Sequence, residues 1–153
     1  MNPDSKSRFL RASIAEAKKG LESGGIPIGS VLVIENQIVG RGHNRRVQDK
    51  SPVLHAEMAC LNQAGRLKPA DYRRSTLFTT LSPCDMCSGA VLLYRIPVVV
   101  VGENRNFRGP EEYLRSRGVD VQVMDDDECV ELLRRFIHER AELWNEDIGE
   151  TGD

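Results

Sequence analysis

The chain has 153 residues, of which 29% are charged and 40% belong to the wider apolar class, ordinary values for one globular domain. The formal net charge of -2 excludes a strongly basic surface over the whole chain, so we expect no nucleic-acid partner. No apolar stretch approaches the roughly 20 residues that a membrane helix needs, and residues 1–5 lack the pattern of a secretory signal. We therefore expect a cytoplasmic protein without a membrane partner, whose four cysteines are reduced thiols.

Hydrophobic periodicity predicts a helix near the start of the chain, followed by a β-hairpin. Residues 7–23 repeat apolar side chains at helical spacing, and a pair of glycines ends the pattern. Two β-branched runs at 28–34 and 37–40 predict paired strands. The polar pair between them, Glu35-Asn36, is typical of a tight turn.

Two Ser-Pro pairs, at 51–52 and 82–83, mark the centre of the chain. Each is typical of a helix N-cap followed by proline at the first helical position. They predict helices over residues 53–64 and 84–94, with a strand at 77–81 between them.

The remainder of the chain alternates between strand and helix patterns. Residues 97–101 form a continuous apolar run, which is typical of a strand buried on both faces of a sheet. The other predicted elements are a short helix at 110–116, a strand at 119–124, an amphipathic helix capped by Asp125 or Asp126, and a last helical turn or two within 142–150. This alternation predicts a single α/β domain over residues 1–153, a three-layer α/β/α sandwich with five strands. The pattern does not specify the strand order.

Two segments carry the residue types of a metal-dependent hydrolytic site. His55 and Glu57 stand near the start of one predicted helix, and Cys84 and Cys87 near the start of the next. Cysteines three apart on a helix share one face, and a helix N-terminus favours their thiolate form. If the two helices abut, His55 completes a set of three nitrogen and sulfur ligands. Zinc accepts such a set and keeps a fourth position for water, so the pattern predicts one catalytic Zn²⁺ per chain.

Glu57 is the predicted acid–base residue of this site. Residues two apart on a helix face different directions, so Glu57 should lie beside the bound water rather than bind the ion with His55. A carboxylate there can take a proton from the water and pass it to a leaving nitrogen. The alternative, a structural zinc or redox module, predicts no vacant metal position and assigns no purpose to Glu57. The spare cysteines, Cys60 and Cys129, are expected to fill core.

His-x-Glu followed by Pro-Cys-x-x-Cys is the signature of the zinc-dependent base deaminases. Around this signature, the chain closely resembles the fungal-type cytosine deaminases of the cytidine and nucleobase deaminase superfamily, from about residue 24 to residue 150. The motifs that carry the resemblance are Gly-Gly-Ile-Pro-Ile-Gly (24–29), Gly-Arg-Gly-His-Asn (40–44), Thr-Thr-Leu-Ser-Pro-Cys-Asp-Met-Cys (79–87), Val-Gly-Glu-Asn (101–104) and Trp-x-Glu-Asp-Ile-Gly-Glu (144–150). The resemblance implies a cytidine-deaminase-like fold around a five-stranded mixed sheet, and a homodimer.

The resemblance also implies roles for individual residues. It implies that His55, Cys84 and Cys87 hold the zinc. Asn44 is similar to the residue that hydrogen-bonds the carbonyl side of the base, and Asp147 to the one that engages the exocyclic amine. The other residues implied to contact the base are Ala56, Ile26, Leu81 and Ser82, together with the aromatic walls Phe107 and Trp144.

The activity that the resemblance implies is hydrolysis of cytosine to uracil and ammonia, a reaction of pyrimidine salvage. It implies a pocket covered by the tail from about residue 142 to residue 153. Two departures keep related heterocycles open, such as isocytosine, creatinine or an aminotriazine: Ala56 stands where the fungal enzymes have glycine, and the 45–52 loop differs. An editor of tRNA or single-stranded DNA would need a basic channel, against which the net charge of -2 argues.

Overall fold

The structure is a computed structural model, and it describes residues 1–152. Its helices are α1 (Pro3–Glu22), α2 (Ala56–Ala64), α3 (Pro69–Tyr72), α4 (Asp85–Tyr94), α5 (Glu111–Ser116), α6 (Asp127–Glu139) and α7 (Ala141–Asp147). Its strands are β1 (Gly29–Ile34), β2 (Gln37–His43), β3 (Thr76–Leu81), β4 (Val98–Glu103) and β5 (Asp120–Val123). Within these residues, no helix combines the length and the apolar character that crossing a membrane requires.

The five strands form one mixed sheet in the order β2-β1-β3-β4-β5. Strand β1 runs antiparallel to both β2 and β3, whereas β3, β4 and β5 are parallel to one another. Glu35 and Asn36 have positive φ angles of 51° and 60°, which suit the two-residue turn of the predicted hairpin. The continuous apolar run at 97–101 corresponds to β4, which has a parallel neighbour on each side, so the prediction of a strand inside the sheet is confirmed.

Helices cover both faces of this sheet, which confirms the predicted three-layer α/β/α sandwich. Successive residues of β4 face opposite layers, so Val99 and Val101 pack on one side and Val100 on the other. The first layer packs through residues of α2, α4 and α5 that include Cys60, Leu61, Val91 and Leu114. The second packs through residues of α1 and α6 that include Leu10, Ile14 and Cys129. Cys60 and Cys129 are therefore buried in the two cores, as predicted.

Helix α2 begins later than the Ser-Pro pair at 51–52 predicts. Its N-cap is His55, and Ser51 lies in the preceding loop. That loop closes on itself, because the backbone N–H of Arg45 donates to the carbonyl of Leu54 at 2.8 Å. The prediction of a helix from residue 53 capped by Ser51 was therefore wrong.

Helix α4 also begins later than predicted, with Cys84 rather than Ser82 as its N-cap. The backbone N–H of Ser82 donates to the carbonyl of Glu103 at 2.9 Å, so Ser82 continues the pairing of β3 with β4. The Ser82 hydroxyl donates to Glu111 and does not cap the helix, which starts at Asp85, one residue later than predicted.

The start of α1, the end of β2 and the presence of α3 also differ from the sequence prediction. Helix α1 begins at Pro3 rather than residue 7, because the side chain of Asn2 caps it by accepting from the Ser5 N–H at 2.8 Å. Strand β2 continues to His43, since its pairing with β1 persists to that residue. The four-residue α3 was not predicted. Of the two candidate caps for α6, Asp126 is the one used, and its side chain accepts from the Cys129 N–H.

Candidate active site

The residues that were predicted to form the site lie together at one end of the central strands. The parallel strands β3 and β4 end there, and the chain continues from β3 into Cys84 and from β4 into Phe107. Strand β1 begins there and β2 ends there, because Gly29 pairs with His43 and Ser30 with Thr79. Crevices beyond the carboxyl ends of parallel strands are the usual place for ligand sites in α/β folds.

His55, Cys84 and Cys87 form a tight cluster of possible metal ligands. Their donor atoms all lie within 4.8 Å of one another, and His55 Nδ1 is 3.4 Å from Cys84 Sγ. His55 and Cys84 are the N-cap residues of α2 and α4, and Cys87 lies in the first turn of α4. Two helix N-termini therefore meet at the cluster, and their dipoles favour negatively charged sulfur.

The cluster fits a zinc ion. Zinc binds sulfur at about 2.3 Å and nitrogen at about 2.0–2.1 Å, so its tetrahedral donors lie about 3.6–3.8 Å apart. The 3.4 Å between His55 Nδ1 and Cys84 Sγ is close to that spacing. The other ring nitrogen, His55 Nε2, is 3.2 Å from Asp147 Oδ1. A carboxylate in this position is the usual support of a metal-binding histidine, because it fixes the tautomer and the ring orientation.

The contacts within the cluster shift the proton affinities of its members. The hydrogen bond from Cys87 lowers the pKa of Cys84 to about 4, and His55 contributes to the shift. The same hydrogen bond and burial raise the pKa of Cys87 well above its usual value. Burial acts to lower the pKa of His55, but hydrogen bonds to Asp147 and Cys84 outweigh it and raise the pKa to about 10. Negative charge therefore concentrates on Cys84, where an incoming cation is attracted.

Glu57 lies beside the donor cluster and not within it. Its side chain is buried and lines the same cavity as His55 and Cys84. Burial raises the pKa of Glu57 to about 7, and the nearby charge of Cys84 adds to the shift. A carboxyl group with a pKa near neutrality can both accept and donate a proton, which is the requirement for general acid–base chemistry.

A buried polar network ties the last helix to the cluster. Asp147, at the end of α7, accepts at Oδ1 from Asn44 Nδ2 at 2.9 Å and also contacts His55 through that oxygen. Asn44 is fully buried, and its Oδ1 accepts from the backbone N–H of Arg46 at 2.9 Å. Both atoms of the Asn44 amide are therefore engaged in holding α7 and the 45–52 loop beside the cluster.

The donor cluster opens onto a small cavity. Phe107 and Trp144 form adjacent walls, with ring centroids 6.2 Å apart and planes at 80°. Trp144 and Asp147 are 6% and 7% exposed, so α7 shields the cavity from solvent.

Most of the residues implied to contact the base line this cavity, namely Ala56, Leu81, Ser82, Phe107, Trp144 and Asp147. Asn44 and Ile26 do not. Asn44 reaches the cavity only through Asp147, and Ile26 packs in an apolar cluster with Leu133 and Phe136.

The sequence analysis missed two cavity residues, Ile28 and Ile148. The Ile-Pro-Ile motif makes Ile26 and Ile28 equal candidates, and only the position of β1 decides which one faces the cavity. Ile148 follows Asp147 in the closing motif, and that adjacency was the available signal.

Comparisons with known proteins match sequence and fold to one group of enzymes. The family model of the cytidine and deoxycytidylate deaminase zinc-binding region matches residues 3–103. A cytosine deaminase of Candida albicans is 49% identical over 142 residues, which cover 92% of this chain and 95% of that protein. A tRNA-specific adenosine deaminase of Bacillus subtilis is 36% identical over 141 residues, covering 86% of this chain and 88% of that protein.

A solved structure has the same fold. It comes from a study of A-to-I editing by tRNA:A34 deaminases at the wobble position of transfer RNA. Its TM-score is 0.70 at 26% sequence identity, and the match covers 83% of this chain and 99% of the other.

Proposed function

Because the chain belongs to the cytidine and deoxycytidylate deaminase family, we propose that it hydrolyses cytosine to uracil and ammonia. One observation carries the proposal: a cavity in which His55, Cys84 and Cys87 stand beside Glu57 beneath α7. The Candida albicans relative, which is matched over nearly its whole length, is itself a cytosine deaminase.

In this proposal His55, Cys84 and Cys87 hold a catalytic zinc ion. With three protein ligands and one remaining position, the ion would lower the pKa of a bound water and supply the nucleophile at neutral pH. The chain prepares this site in two ways. Asp147 holds His55 by Nε2 and so directs Nδ1 toward Cys84, and the N-termini of α2 and α4 stabilise negative sulfur.

Glu57 carries the protons of the reaction. Addition of water forms a bond between oxygen and C4 of the base, and Glu57 moves the proton of that water to N3. Glu57 then transfers the second proton from the new hydroxyl to the amine, the C4–N bond breaks, and ammonia leaves. Uracil remains, with a proton on N3 and a carbonyl at C4. The raised pKa of Glu57, about 7, suits a group that must accept and donate in turn.

Asp147 and the two aromatic residues orient the base. Because the bonds from Asn44 and His55 both end on Asp147 Oδ1, its Oδ2 can accept a hydrogen bond from the exocyclic amine. Phe107 and Trp144 offer adjacent apolar walls to the ring. Asn44 acts at this stage by holding Asp147, and not through the contact with the carbonyl side of the base that the resemblance implies, because both atoms of its amide are engaged.

The cover that α7 forms over the cavity favours a free base over a nucleic acid. Trp144 and Asp147 of this helix line the cavity and are nearly buried, so a polynucleotide strand would have to displace them. The net charge of -2 also offers no extended basic surface for a phosphate backbone.

A related heterocycle is the second candidate substrate, and Ala56 is the observation that favours it. Ala56 is fully buried and lines the cavity beside the predicted shuttle Glu57. Its methyl group narrows the space available to the base compared with glycine. Isocytosine, creatinine and an aminotriazine are the alternatives that place an amine on a similar small ring.

We further propose that residues 1–153 act as one deaminase domain in a cytoplasmic homodimer of pyrimidine salvage, with the tail from about residue 142 covering the site. Exposed apolar side chains at the end of α4 support self-association, since Leu93 is 71% exposed and Tyr94 is 40% exposed. Light scattering after size-exclusion chromatography should give the mass of a dimer, and Leu93→Asp should give a monomer. A monomeric wild type would contradict the proposed dimer.

An ultraviolet assay of the zinc-loaded protein tests the proposed activity. Cytosine, isocytosine, creatinine, guanine and cytidine are offered in parallel with a tRNA anticodon stem-loop. Loss of cytosine that stops with a chelator supports the proposal. Turnover of another small ring but not of cytosine would identify that ring as the substrate. Turnover of the stem-loop alone would overturn the assignment to free bases. Silence on all of them, with zinc bound, favours the structural zinc module.

A further inference from the structure

Glu111 is a buried carboxylate that the reaction does not use. It begins α5, its side chain is 1% exposed, and it is absent from the residues that line the cavity. Burying a carboxylate is costly unless the group is fully paired, so its partners indicate what it does.

Those partners come from two separate segments of the chain, one before Cys84 and one after β4. Ser82, in the turn that leads to Cys84, donates its hydroxyl to Glu111 Oε2 at 2.6 Å. Asn104, just after β4, donates Nδ2 to both carboxylate oxygens at 3.2 Å. Arg108 Nε is 3.6 Å from Oε1 and partly balances the charge. The carboxylate thus joins the segment before Cys84 to the segment that carries Phe107.

A direct backbone contact reinforces this junction. The Ser82 hydroxyl, which donates to Glu111, accepts from the backbone N–H of Gly109 at 3.0 Å. A Cβ atom at Gly109 would overlap the carbonyl oxygen of Pro83, so only glycine allows the two segments to approach this closely. Gly109 therefore permits the close approach of the two segments, and the Glu111 carboxylate bonds across it.

A second buried carboxylate holds the other end of the Phe107 segment. Glu103 is fully buried, and its Oε2 accepts from the backbone N–H groups of Arg105 at 2.7 Å and Asn106 at 3.0 Å. These bonds are local to the start of the loop. Glu111 differs from Glu103 because its side chain reaches Ser82, next to the metal-ligand turn.

We propose that Glu111 is a positioning residue. Its bonds to Ser82 and Asn104 set how far Phe107 lies from Cys84, and this distance defines the width of the base-binding cavity. Phe107 lies between the two carboxylate anchors along the chain and contacts Trp144 edge-on in the cavity wall. Without the Glu111 carboxylate, Ser82 and Asn104 lose their acceptor, and only the Gly109 bond to Ser82 remains at this end of the loop. Phe107 then moves away from Trp144. The kinetic part of this inference rests on the proposed function, but the geometric part does not.

The fluorescence of Trp144 measures the geometry without any substrate, because it is the single tryptophan of the chain. Glu111→Gln leaves one acceptor oxygen where the carboxylate has two. Acrylamide should quench Trp144 more strongly in this zinc-loaded variant than in the wild type. The matched control is Glu112→Gln, since Glu112 is the next residue of α5, is 74% exposed and also pairs with Arg108. Quenching of the control should equal that of the wild type.

Kinetics with the accepted base supply the second measurement. Loss of one hydrogen bond to a charged group should lower kcat/KM by about 10–100-fold in Glu111→Gln. Most of the loss should appear in KM, because the aromatic wall binds the base equally in ground state and transition state. Zinc content should stay at the wild-type value.

Ser82→Ala is the second variant, and it breaks the same junction from the other side if Glu111→Gln fails to fold. It should also increase the quenching of Trp144. Quenching and KM equal to those of Glu112→Gln, with only a lower melting temperature, would overturn the proposal and leave Glu111 a purely stabilising residue. If no base is turned over, the quenching result still decides the role of Glu111, and the proposed function fails separately.

Discussion

The buried carboxylates Glu57 and Asp147 line the cavity and Glu111 lies behind its wall, and each has a different environment. Glu57 has charged neighbours and burial that raise its pKa to about 7. Asp147 shares one oxygen between Asn44 and the metal-ligand candidate His55. Glu111 accepts from Ser82 and joins two loops. The same functional group is thus suited to proton transfer, to ligand support and to wall placement, because its partners differ.

Glu57→Gln tests proton transfer. The amide keeps the size of the side chain but cannot accept a proton, so kcat/KM should fall by about 10²–10⁴-fold. Zinc content should not change, because Glu57 lies outside the donor cluster. Steady-state kinetics and metal analysis measure the two quantities, with Glu112→Gln as an exposed control. Wild-type turnover by Glu57→Gln would remove it from the role of proton shuttle.

Asp147→Asn tests ligand support. The neutral amide still fills the space but loses the charge that holds His55 Nε2. Support groups of this kind typically contribute about 10–100-fold to metal affinity, and zinc loss to a chelator should accelerate accordingly. Glu146→Gln is the neighbouring control, because Glu146 is 58% exposed and pairs with Arg46 outside the donor cluster. Equal rates of zinc loss in the two variants would contradict the role of Asp147.

At the scale of elements, helix α2 reaches the site because it lies very close to strand β2. A Cβ atom at Gly40 would lie 2.7 Å from Ala64 Cβ and 2.8 Å from the carbonyl oxygen of Cys60. A Cβ atom at Gly42 would overlap the backbone of Ala59 and Cys60. Both glycines thus let the helix that starts with Ala56 and Glu57 sit directly on the strand.

Gly42→Ala should therefore push α2 away from β2. Overpacking of this kind typically lowers the free energy of unfolding by about 1–3 kcal/mol. Activity should fall with it, because α2 carries Glu57. Gly89→Ala is the matched change on α4, where a Cβ atom meets nothing within 4 Å among the described residues. It should raise stability by up to about 1 kcal/mol, since alanine favours helix. Urea denaturation measures both, and a stable Gly42→Ala would contradict the close approach.

The same scale shows what could be predicted from sequence. Helical and strand periods located nearly every element, because burial on one side imposes them directly. The starts of α2 and α4 were misplaced, since a Ser-Pro pair does not reveal that Ser82 still bonds to Glu103 across the sheet. Local pattern contains no information about such a partner.

Site residues divide in a similar way. The signature of His55, Glu57, Cys84 and Cys87 was sufficient to group them, because their chemistry and spacing are specific. The bond from Asn44 to Asp147 joins residues 103 positions apart. The pattern alone could not have placed that pair, and only the family resemblance drew attention to either residue.

At the scale of the whole molecule, the candidate metal site connects the two central helices. Zinc should stabilise the folded chain, because its complete ligand set exists only there, and binding at about 1,000 times Kd corresponds to about 4 kcal/mol. Chelation should abolish turnover and lower the melting temperature, and added zinc should restore both. Glu57→Gln should show the same zinc-dependent shift in melting temperature without turnover. A melting temperature that is the same with and without zinc would contradict the predicted site.

The positions of His55 and Cys84 at the starts of two different helices also dictate when metal can be captured during folding. The two residues are separated by 29 positions, and β3 lies between α2 and α4 along the chain. A nascent chain in which β1 and β3 have not yet paired offers only the Cys84–Cys87 thiol pair. High-affinity zinc uptake must then follow assembly of the sheet. Zinc therefore stabilises a chain that has already folded and does not direct its folding. In a refolding time course that starts with zinc bound to a chelating dye, transfer of zinc from the dye to the protein should lag behind the recovery of sheet structure.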